Sequence, residues 1–342
     1  MDRIAQATSV DRADLFQRAA KAGKLVRTPE IIEKDFWVCW TLHRLFDVMR
    51  FHPQLIFKGG TSLSKAFNLI ERFSEDVDLS LNRKDLGFAD DRDPEQLGIS
   101  RREAKRRLDE LVDGCQKVIR DRLLPEMRAD FGSALGETGW KVDLDVKDPQ
   151  TIIFEYPKSA LEHGLGAYIN PVIRLEMGAR SDDWPAEDCE IKPYATDVFP
   201  QMFTTAASCR VHVLDAKRTF WEKATILHAE YHRPMEKSDK GRISRHYYDL
   251  YRLSQQKIGH EALAHRELLD RVIKHKSFFF ASAWAHYETA IPGSFRLVPP
   301  SARAEELHKD YLQMKVMIFG EAPGWDEIIR GLTELEVKIN SL

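Results

Sequence analysis

The chain has 342 residues, of which 43% are hydrophobic and 31% charged, a composition typical of a globular protein with room for two domains. No apolar run approaches the roughly 18 residues of a membrane span, and the start of the chain lacks the apolar core of a secretory signal. The four cysteines are scattered without a C-x-x-C pair, which argues against a zinc site or a disulfide framework. We therefore expect a cytoplasmic protein with no membrane partner.

The net charge of −3, from 51 basic and 54 acidic residues, gives no nucleic-acid signal by itself. The distribution is uneven, because residues 210–276 carry 15 Lys or Arg and nine Asp or Glu, a net charge of +6, together with seven of the twelve histidines. A basic region of this kind suits RNA or an additional phosphate group. A solvated helical surface is an equally simple explanation for any one of these charges.

Apolar residues recur at helical spacing in some parts of the chain and alternate as in strands in others. The predicted elements of the first 214 residues are, in order, helices over 9–22 and 29–49, a strand over 55–58, a helix over 61–67, a strand over 76–81, a polar loop over 82–100, a helix over 101–122, and strands over 140–146, 151–156, 171–177 and 209–214.

The remainder of the chain has a helical pattern. A helix is predicted over 217–231, and nearly everything from residue 242 onward is helical, apart from a break around 291–302 that contains three prolines. This order predicts an α+β fold in which a mixed β-sheet flanked by helices precedes a C-terminal helical bundle. We expect an α/β domain over 1–210 and a helical domain over 211–342.

A glycine pair lies between the first predicted strand and the helix after it, in the sequence Phe-Lys-Gly-Gly-Thr-Ser-Leu-Ser-Lys that runs from Phe57 to Lys65. Glycines let backbone N–H groups approach phosphate oxygens, and a helix amino terminus favours anions. A tight strand-to-helix turn without a ligand is the alternative. The candidate nucleotide-binding residues are Lys58, Gly59, Gly60, Thr61, Ser62 and Lys65.

Two carboxylates follow on the next predicted strand, in the sequence Asp76-Val77-Asp78-Leu79. Alternate residues of a strand point to one face, so Asp76 and Asp78 aim together while their apolar neighbours face the other way. Like charges side by side need a cation to stay ionised, and paired carboxylates hold Mg²⁺ or Mn²⁺ ions that bridge phosphates. An exposed or salt-bridged strand edge is the alternative. With the glycine pair, the two acids predict a metal–nucleotide site.

A third carboxylate from another strand usually completes a two-metal site for phosphoryl chemistry. The candidates are Asp143, Asp145 and Glu176. We favour Glu176 as the third metal ligand, because an acid embedded in an apolar strand more often has a function or a partner. A salt bridge from Glu176 to Arg174 or Arg180 carries about equal weight.

The helix over 217–231 offers a cation, Lys223, that could neutralise a triphosphate and the charge that develops during transfer. An exposed lysine paired with Glu230 is the alternative. Asp249, in the next helix, could act as a base or could orient Lys223 through a salt bridge, and we favour the orienting role.

Three further residues in 242–246 have open roles. Arg242 and Arg245 could contact phosphates or lie exposed, and His246 could be an acid or base, although a packed histidine is more common. The charged residues 33–35 of the early helix are expected on a solvated face, although a supporting role beneath the site stays open.

These motifs together resemble the AbiEii/AbiGii family of nucleotidyltransferase toxins, within the DNA polymerase β-like nucleotidyltransferase superfamily. The matching segments are Glu33-Lys34-Asp35-Phe36-Trp37, Phe57-Lys58-Gly59-Gly60-Thr61-Ser62-Leu63, Arg72-Phe73-Ser74-Glu75-Asp76-Val77-Asp78-Leu79, Arg174-Leu175-Glu176, Trp221-Glu222-Lys223-Ala224 and Arg245-His246-Tyr247-Tyr248-Asp249.

The resemblance implies that Gly60 and its neighbours hold the triphosphate of an NTP and that Asp76 and Asp78 bind Mg²⁺. It makes Lys223 and Asp249 the positions of later family motifs. It also implies a type IV toxin–antitoxin or phage-defence setting with an antitoxin encoded nearby. The 15 residues between Gly60 and Asp76 exceed the usual superfamily spacing, so the helix and turn between them are expected to be extended.

The leading hypothesis is therefore Mg²⁺-dependent transfer of a nucleoside monophosphate from an NTP to an acceptor, with a tRNA 3′ end as the expected acceptor. Three alternatives stay open: modification of a small hydroxylated molecule, nucleotide or RNA binding without turnover, and a mainly structural interaction protein. The last leaves the arrangement of acids and glycines unexplained.

Overall fold

A computed structural model describes residues 1–23, 27–74, 76–161, 170–203, 207–237 and 241–342. The chain divides into two units, and the first, the sheet unit, contains Met1–Ala66 and Phe73–Val213. The second, the helical unit, contains Phe67–Arg72 and Leu214–Leu342. The six residues Phe67–Arg72 thus belong with the helical unit, although they lie far from the rest of it in sequence.

The sheet unit is built on one mixed sheet with the strand order β3-β4-β5-β2-β1-β7-β6. The central strands β2 and β5 are parallel, as are β1 and β7, whereas β1–β2, β3–β4 and β4–β5 are antiparallel. The strand bounds are β1 Leu55–Lys58, β2 Asp76–Leu81, β3 Lys141–Leu144, β4 Thr151–Glu155, β5 Ile173–Gly178, β6 Ala186–Ile191 and β7 Cys209–Leu214.

Helices of the sheet unit begin at side-chain caps where the chain supplies them. The Thr28 hydroxyl accepts from the Ile31 N–H ahead of a proline in the first turn, and Ser100 does the same for Glu103. Two π-helical turns, Arg44–Val48 and Ile119–Leu123, follow α3 and α5. The helix bounds are α1 Asp2–Ala5, α2 Ser9–Ala22, α3 Pro29–His43, α4 Gly59–Lys65, α5 Arg101–Val118, α6 Leu124–Leu135 and α7 Ala195–Val198.

One face of the sheet is apolar because alternate strand residues are large and hydrophobic. In the registered pairs, Val77 lies beside Leu175, and Phe154 lies beside Ile173. Phe154 also contacts the Trp40 ring of α3, with 5.8 Å between ring centroids, and the Phe131 ring of α6, with 4.9 Å. Helices α3 and α6 therefore cover this face, which leaves the opposite face of the same strands to polar residues.

The helical unit has its own aromatic core. Trp221 is buried and its indole N–H donates to the Ala262 carbonyl at 3.0 Å, while Trp325 packs between Tyr247 and Tyr311. Residues 67–72 join this unit through a β-bridge from Arg72 to Ile318. The helix bounds are α8 Ala216–Tyr231, α9 Ser244–Ser254, α10 Lys257–Ala264, α11 Arg266–Phe279, α12 Ser301–Met314 and α13 Trp325–Asn340.

The fold class predicted from the sequence is confirmed, since a mixed sheet with flanking helices is followed by a run of helices. The sequence missed α6, which has Pro125 in its first turn, and β6, a sheet edge whose exposed acidic residues do not alternate with apolar ones. The connection before Asp76 is long, as expected, and it contains Phe67–Arg72. Helix α4 itself has only seven residues, so the extra length lies in the turn and not in the helix.

The expectation for residues 33–35 is also wrong. Glu33, Lys34 and Asp35 are all buried within α3, with at most 1% of each residue exposed. Glu33 accepts a bond from the Ser159 N–H and Lys34 donates to the Asn170 carbonyl, each at 2.8 Å, so partners from distant loops compensate the buried charges. In the part of the chain that the structure describes, no helix is both long enough and apolar enough to cross a membrane.

Candidate active site

The polar face of the sheet brings four of the predicted site residues into register. On β2, Asp76 and Asp78 alternate and so point to the same face. Across the parallel pairing to β5, Glu176 lies opposite Asp78, and across the antiparallel pairing to β1, Lys58 lies opposite Asp78. Directly opposed residues project to the same side of a sheet, so three carboxylates and one ammonium group share this surface.

Gly59 lies directly against one of these carboxylates. Its φ is +77°, a left-handed conformation that favours glycine. A methyl group at Gly59 would lie only 2.0 Å from Asp78 Oδ2, so no larger residue fits without displacing that side chain. The glycine that begins α4 is thus required by the approach of Asp78, and the structure brings the predicted glycine and acid together.

The hydroxyl groups at the start of α4 are used within the protein. Thr61 is buried, and its hydroxyl donates to the Ser74 carbonyl at 3.3 Å and also to the carbonyl of Asp76. The Ser62 hydroxyl donates to the Gly59 carbonyl at 2.9 Å. These bonds hold the helix against β2, and the first-turn backbone N–H groups of α4, which have no intrahelical acceptors, are left as the candidate donors to phosphate.

Lys65 is placed differently from the sequence prediction. Its ammonium group lies 2.7 Å from the Asp35 carboxylate, donates to the Lys192 carbonyl at 2.7 Å and sits 3.7 Å from the centroid of the Tyr194 ring. Burial is the largest single influence on Lys65 and would lower its pKa, but the charge and hydrogen bond of Asp35, together with Cys39 and Tyr194, outweigh burial and raise that pKa. Lys65 is therefore enclosed as a charged group inside the sheet unit and paired with Asp35, a contact that the sequence did not predict.

The strand register places the three candidates for a third carboxylate at different distances from Asp76 and Asp78. Asp143 shares a row with Asp76, but β4 and β5 lie between them, so their backbones are three strand spacings or about 14 Å apart. Asp145 pairs with Arg174 at 2.9 Å. Glu176, one strand from Asp78, is the acid best placed to act with it, and the expected Arg174 ion pair is also present, with 3.6 Å between Arg174 Nε and Glu176 Oε1.

The donor atoms of this face suit a hard divalent cation. Asp76 and Asp78 supply carboxylate oxygens, and Glu176 lies beside Asp78 in register. Within the described ranges, no three His, Cys, Asp or Glu side chains are already arranged around a metal position. Mg²⁺ is commonly held by one or two carboxylates together with substrate phosphates, and two acids on one strand face provide that number.

The helical unit contains a second cluster of predicted residues. The carboxylate of Asp249 lies 2.7 Å from the Lys223 ammonium and accepts two bonds from the Arg72 guanidinium, at 2.6 and 2.8 Å. Burial alone would raise the pKa of the Asp249 carboxyl, but the two cations outweigh it and hold that pKa well below its usual range. A carboxylate stabilised in this way is a poor base, so the contact favours the orienting role for Asp249.

The neighbours of this cluster have structural contacts. Asp310 accepts from the backbone N–H groups of Arg242 and Ser244 at 2.9 and 2.8 Å, which fixes the start of α9. Burial and the nearby charge of Lys223 hold the pKa of His246 well below its usual value, so its ring is neutral at pH 7. Glu230, the alternative partner of Lys223, pairs instead with Arg233.

Sequence reasoning missed the role of Arg72, and it placed Asp35 on a solvated face with only an open supporting role. Arg72 and Asp249 are 177 positions apart, and no local pattern connects them. Asp35 had a usable signal, since it lies between the apolar positions Ile32 and Phe36 on the buried side of α3. A charged residue on an apolar helix face requires a partner, and that rule would have directed attention to it.

Alternating acids on a central strand beside a helix that begins at a glycine are the arrangement expected of a nucleotidyltransferase. A model of one family, described as the nucleotidyl transferase AbiEii toxin of a type IV toxin–antitoxin system, matches residues 40–330. The chain belongs to this AbiEii family. It is therefore a nucleotidyltransferase toxin, and the family implies an NTP substrate and an antitoxin.

A solved structure has a similar fold. MenT4, a nucleotidyltransferase toxin from Mycobacterium tuberculosis H37Rv, aligns with a TM-score of 0.51 and 15% sequence identity, over 96% of this chain and 90% of that one. At this level of identity the likeness concerns the fold alone. No curated protein matches the chain.

Proposed function

We propose that this protein transfers a nucleoside monophosphate from an NTP to a hydroxyl group of RNA, with Mg²⁺ as the metal and the 3′ end of tRNA as the acceptor. The observation that carries the proposal is the row formed by Lys58, Asp78 and Glu176, with Gly59 packed directly against Asp78. This row places carboxylates beside the start of a helix, where a triphosphate would find backbone donors.

In the proposed reaction, the acceptor oxygen forms a bond to the α-phosphorus while the bond from that phosphorus to the β-phosphate oxygen breaks. Pyrophosphate leaves and the hydroxyl proton passes to solvent. A bound divalent metal would neutralise phosphate charge and lower the pKa of the attacking hydroxyl. Asp76 and Asp78 would hold that metal, with Glu176 as the third ligand, and Lys58 would place a cation beside it.

An RNA acceptor is supported by charge. Residues 210–276 carry a net charge of +6 in a chain whose overall charge is −3. Backbone phosphates are attracted by such a region whatever the sequence of the RNA. Lys223 and Asp249 lie within it, and we retain both as candidate catalytic residues on their match to the family motifs.

The test is incubation with each α-labelled NTP, Mg²⁺ and total tRNA, followed by detection of labelled RNA and released pyrophosphate. Asp76→Asn with Asp78→Asn should abolish both products, because amides are poor ligands for Mg²⁺. Asp143→Asn is the matched control, since it removes an acid that lies in the row of Asp76 but three strands away from it. We expect this control to retain activity.

The results separate the alternatives. Label on a small hydroxylated compound and never on RNA would favour the small-molecule reaction. Binding of NTP without release of pyrophosphate would favour a module without turnover. If the folded protein transferred no label to any acceptor with any NTP, the proposal would fail.

Toxicity connects this chemistry to a biological role. Induced expression of the natural chain in the bacterial cytoplasm should arrest growth, and expression of the Asp76→Asn, Asp78→Asn variant should not. Restored growth on co-expression of the neighbouring antitoxin gene would support the type IV assignment for this pair. Equal arrest by both chains would separate toxicity from metal chemistry.

A further inference from the structure

Helix α4 is anchored at both of its ends. At the start, the Thr61 hydroxyl bonds to the backbone of β2 and Gly59 packs against Asp78. At the end, Lys65 reaches Asp35 of α3. The helix has seven residues, so its two ends are about 9 Å apart, and a shift at Lys65 is passed directly to the glycines.

The contacts of Lys65 and Asp35 use most of their bonding capacity inside the protein. Only 4% of the Lys65 side chain and 1% of the Asp35 side chain are exposed. Asp35 receives the Lys65 ammonium on one oxygen at 2.7 Å and the Tyr194 N–H on the other at 2.6 Å. Lys65 also donates to the Lys192 carbonyl. The pair thus joins α4, α3 and the chain at 192–194.

A buried ion pair contributes little to stability compared with apolar residues of similar volume, because both charges must lose their hydration. What such a pair can provide is one defined geometry, since the two charged groups must meet. Here that geometry fixes the element that begins at Gly59, which in turn limits the position of Asp78.

We propose that Lys65 and Asp35 are positioning residues for nucleotidyl transfer: their buried ion pair fixes the start of α4 against the carboxylates of β2, and neither side chain contacts the nucleotide. The inference rests on the proposed function for its kinetic consequence. It differs from direct binding of phosphate by Lys65 in what it predicts for Asp35.

The kinetic test compares Asp35→Asn, Lys65→Met and the double variant in the full-length protein. Positioning predicts that each single change lowers kcat by about 100-fold, as expected for a displacement near 1 Å, with a smaller change in KM for NTP. The double variant should lose no more than either single variant, because the same contact is broken once. If Lys65 bound phosphate directly, Asp35→Asn would release it and NTP binding would be kept or improved; that result would overturn the proposal.

Stability and local dynamics provide readouts that need no turnover. The double variant removes both charges of the pair, so it should unfold at a denaturant concentration closer to the natural chain than either single variant does. Hydrogen exchange of amides 59–66 should nevertheless be faster in all three variants, with the strands of the sheet unchanged. A stable double variant with natural exchange in α4 and natural kcat would refute positioning.

The same measurements distinguish the two proposals. If the natural chain releases no pyrophosphate while exchange in α4 still depends on the pair, the proposed function fails and the anchoring of α4 stands. If the natural chain is active and the hydrogen-exchange rates of α4 are unchanged by both substitutions, the positioning proposal alone fails.

Discussion

Gly59 shows how one residue can be required for two independent reasons. Its positive φ disfavours any side chain, and the space that a side chain would need is filled by Asp78. Gly98 has a similar φ of +85° but nothing within 4 Å of an added methyl group. A comparison of substitutions at Gly59 and Gly98 therefore distinguishes the effect of the positive φ from the effect of the contact with Asp78.

We expect Gly59→Ala to reduce kcat/KM for NTP by at least about 100-fold, because the added methyl group must displace Asp78 or α4. Gly98→Ala should cost about 1 kcal/mol in the free energy of unfolding, from backbone strain alone, and should leave activity unchanged. Steady-state release of pyrophosphate and urea unfolding of both variants check this. Natural activity in Gly59→Ala would show that the approach of Asp78 to this glycine is not needed.

Asp249 gives a prediction with a defined pH dependence. Its folded-state pKa lies below the usual carboxyl value of about 4, so the ionised form favours the folded state. The resulting stability is fully present above the usual pKa and is lost as the pH falls below it toward the lower folded value. Asp249→Asn should cost about 3 to 5 kcal/mol at pH 7, because Arg72 and Lys223 lose their buried counter-ion.

Urea unfolding between pH 7 and pH 3 measures this effect, and the Asn variant should lose less stability than the natural chain below pH 4. Glu71→Gln is the control, since Glu71 forms a 2.8 Å ion pair with Arg252 in which both side chains are substantially exposed. Such pairs contribute at most about 1 kcal/mol. If Asp249→Asn and Glu71→Gln lowered the free energy of unfolding by similar amounts, the buried ion pairs of Asp249 would not contribute the stability expected here.

At the scale of elements, His228 fastens α8 to the loop that precedes α12. Its Nδ1 accepts from the Arg296 N–H at 3.1 Å, so the ring proton lies on Nε2, 3.1 Å from the His286 carbonyl. Burial is the main cause that lowers the pKa of His228 to about 4, and the neighbouring His232 and His286 add to it. Protonation would place a hydrogen on Nδ1 against the Arg296 N–H.

The sign of the pH effect follows from this shift. The unfolded histidine titrates near 6.5 and the folded one near 4, so the stability associated with the neutral ring is complete above pH 6.5 and is lost as the pH falls toward 4. The maximum loss is roughly 3 kcal/mol. His228→Gln should make the free energy of unfolding depend less on pH between about 4 and 6.5. The substitution His260→Gln, at an exposed position, should not have this effect. An unchanged pH profile in His228→Gln would refute this assignment.

The elements also show what sequence patterns can and cannot provide. Strand β2 has the bounds predicted from alternation, Asp76–Leu81, because one face is apolar and the other polar along its whole length. The ion pair between Lys65 and Asp35 connects helix α4 to helix α3. The spacing of hydrophobic residues along the sequence does not indicate which charged residues will pair. The face that carries Asp76 and Asp78 was therefore predictable, and the anchoring of α4 was not.

At the scale of the whole molecule, the division of the chain depends on a six-residue segment. Glu71 accepts from the Phe319 N–H at 2.8 Å, Leu69 accepts from Gln256 at 2.7 Å, and Arg72 binds Asp249. A sequence-based boundary at residue 210 leaves these six residues outside the helical domain. Nothing in their composition marks them as its members, because their partners are more than 170 positions away.

We expect residues 214–342 alone to be less stable than a chain in which residues 67–72 are joined to them through a flexible Gly/Ser linker. The segment contains Arg72, which forms an ion pair with Asp249. Its presence should therefore raise the melting temperature by roughly 10 °C. Thermal unfolding followed by circular dichroism measures this. The joined chain with Arg72→Met is the control and should lose most of the gain. Equal melting of all three would show that the segment is dispensable for this unit.

The position of Phe67–Arg72 also limits how this protein can evolve. The chain passes from one unit to the other after Ala66, returns before Phe73 and passes again after Val213, so the DNA that encodes the helical unit is interrupted. Recombination at a single boundary would bring in a foreign bundle without its first six residues and leave Asp249 without its arginine. Changes in the helical unit are therefore expected to arise through point substitutions within the existing bundle rather than through exchange of a whole gene segment.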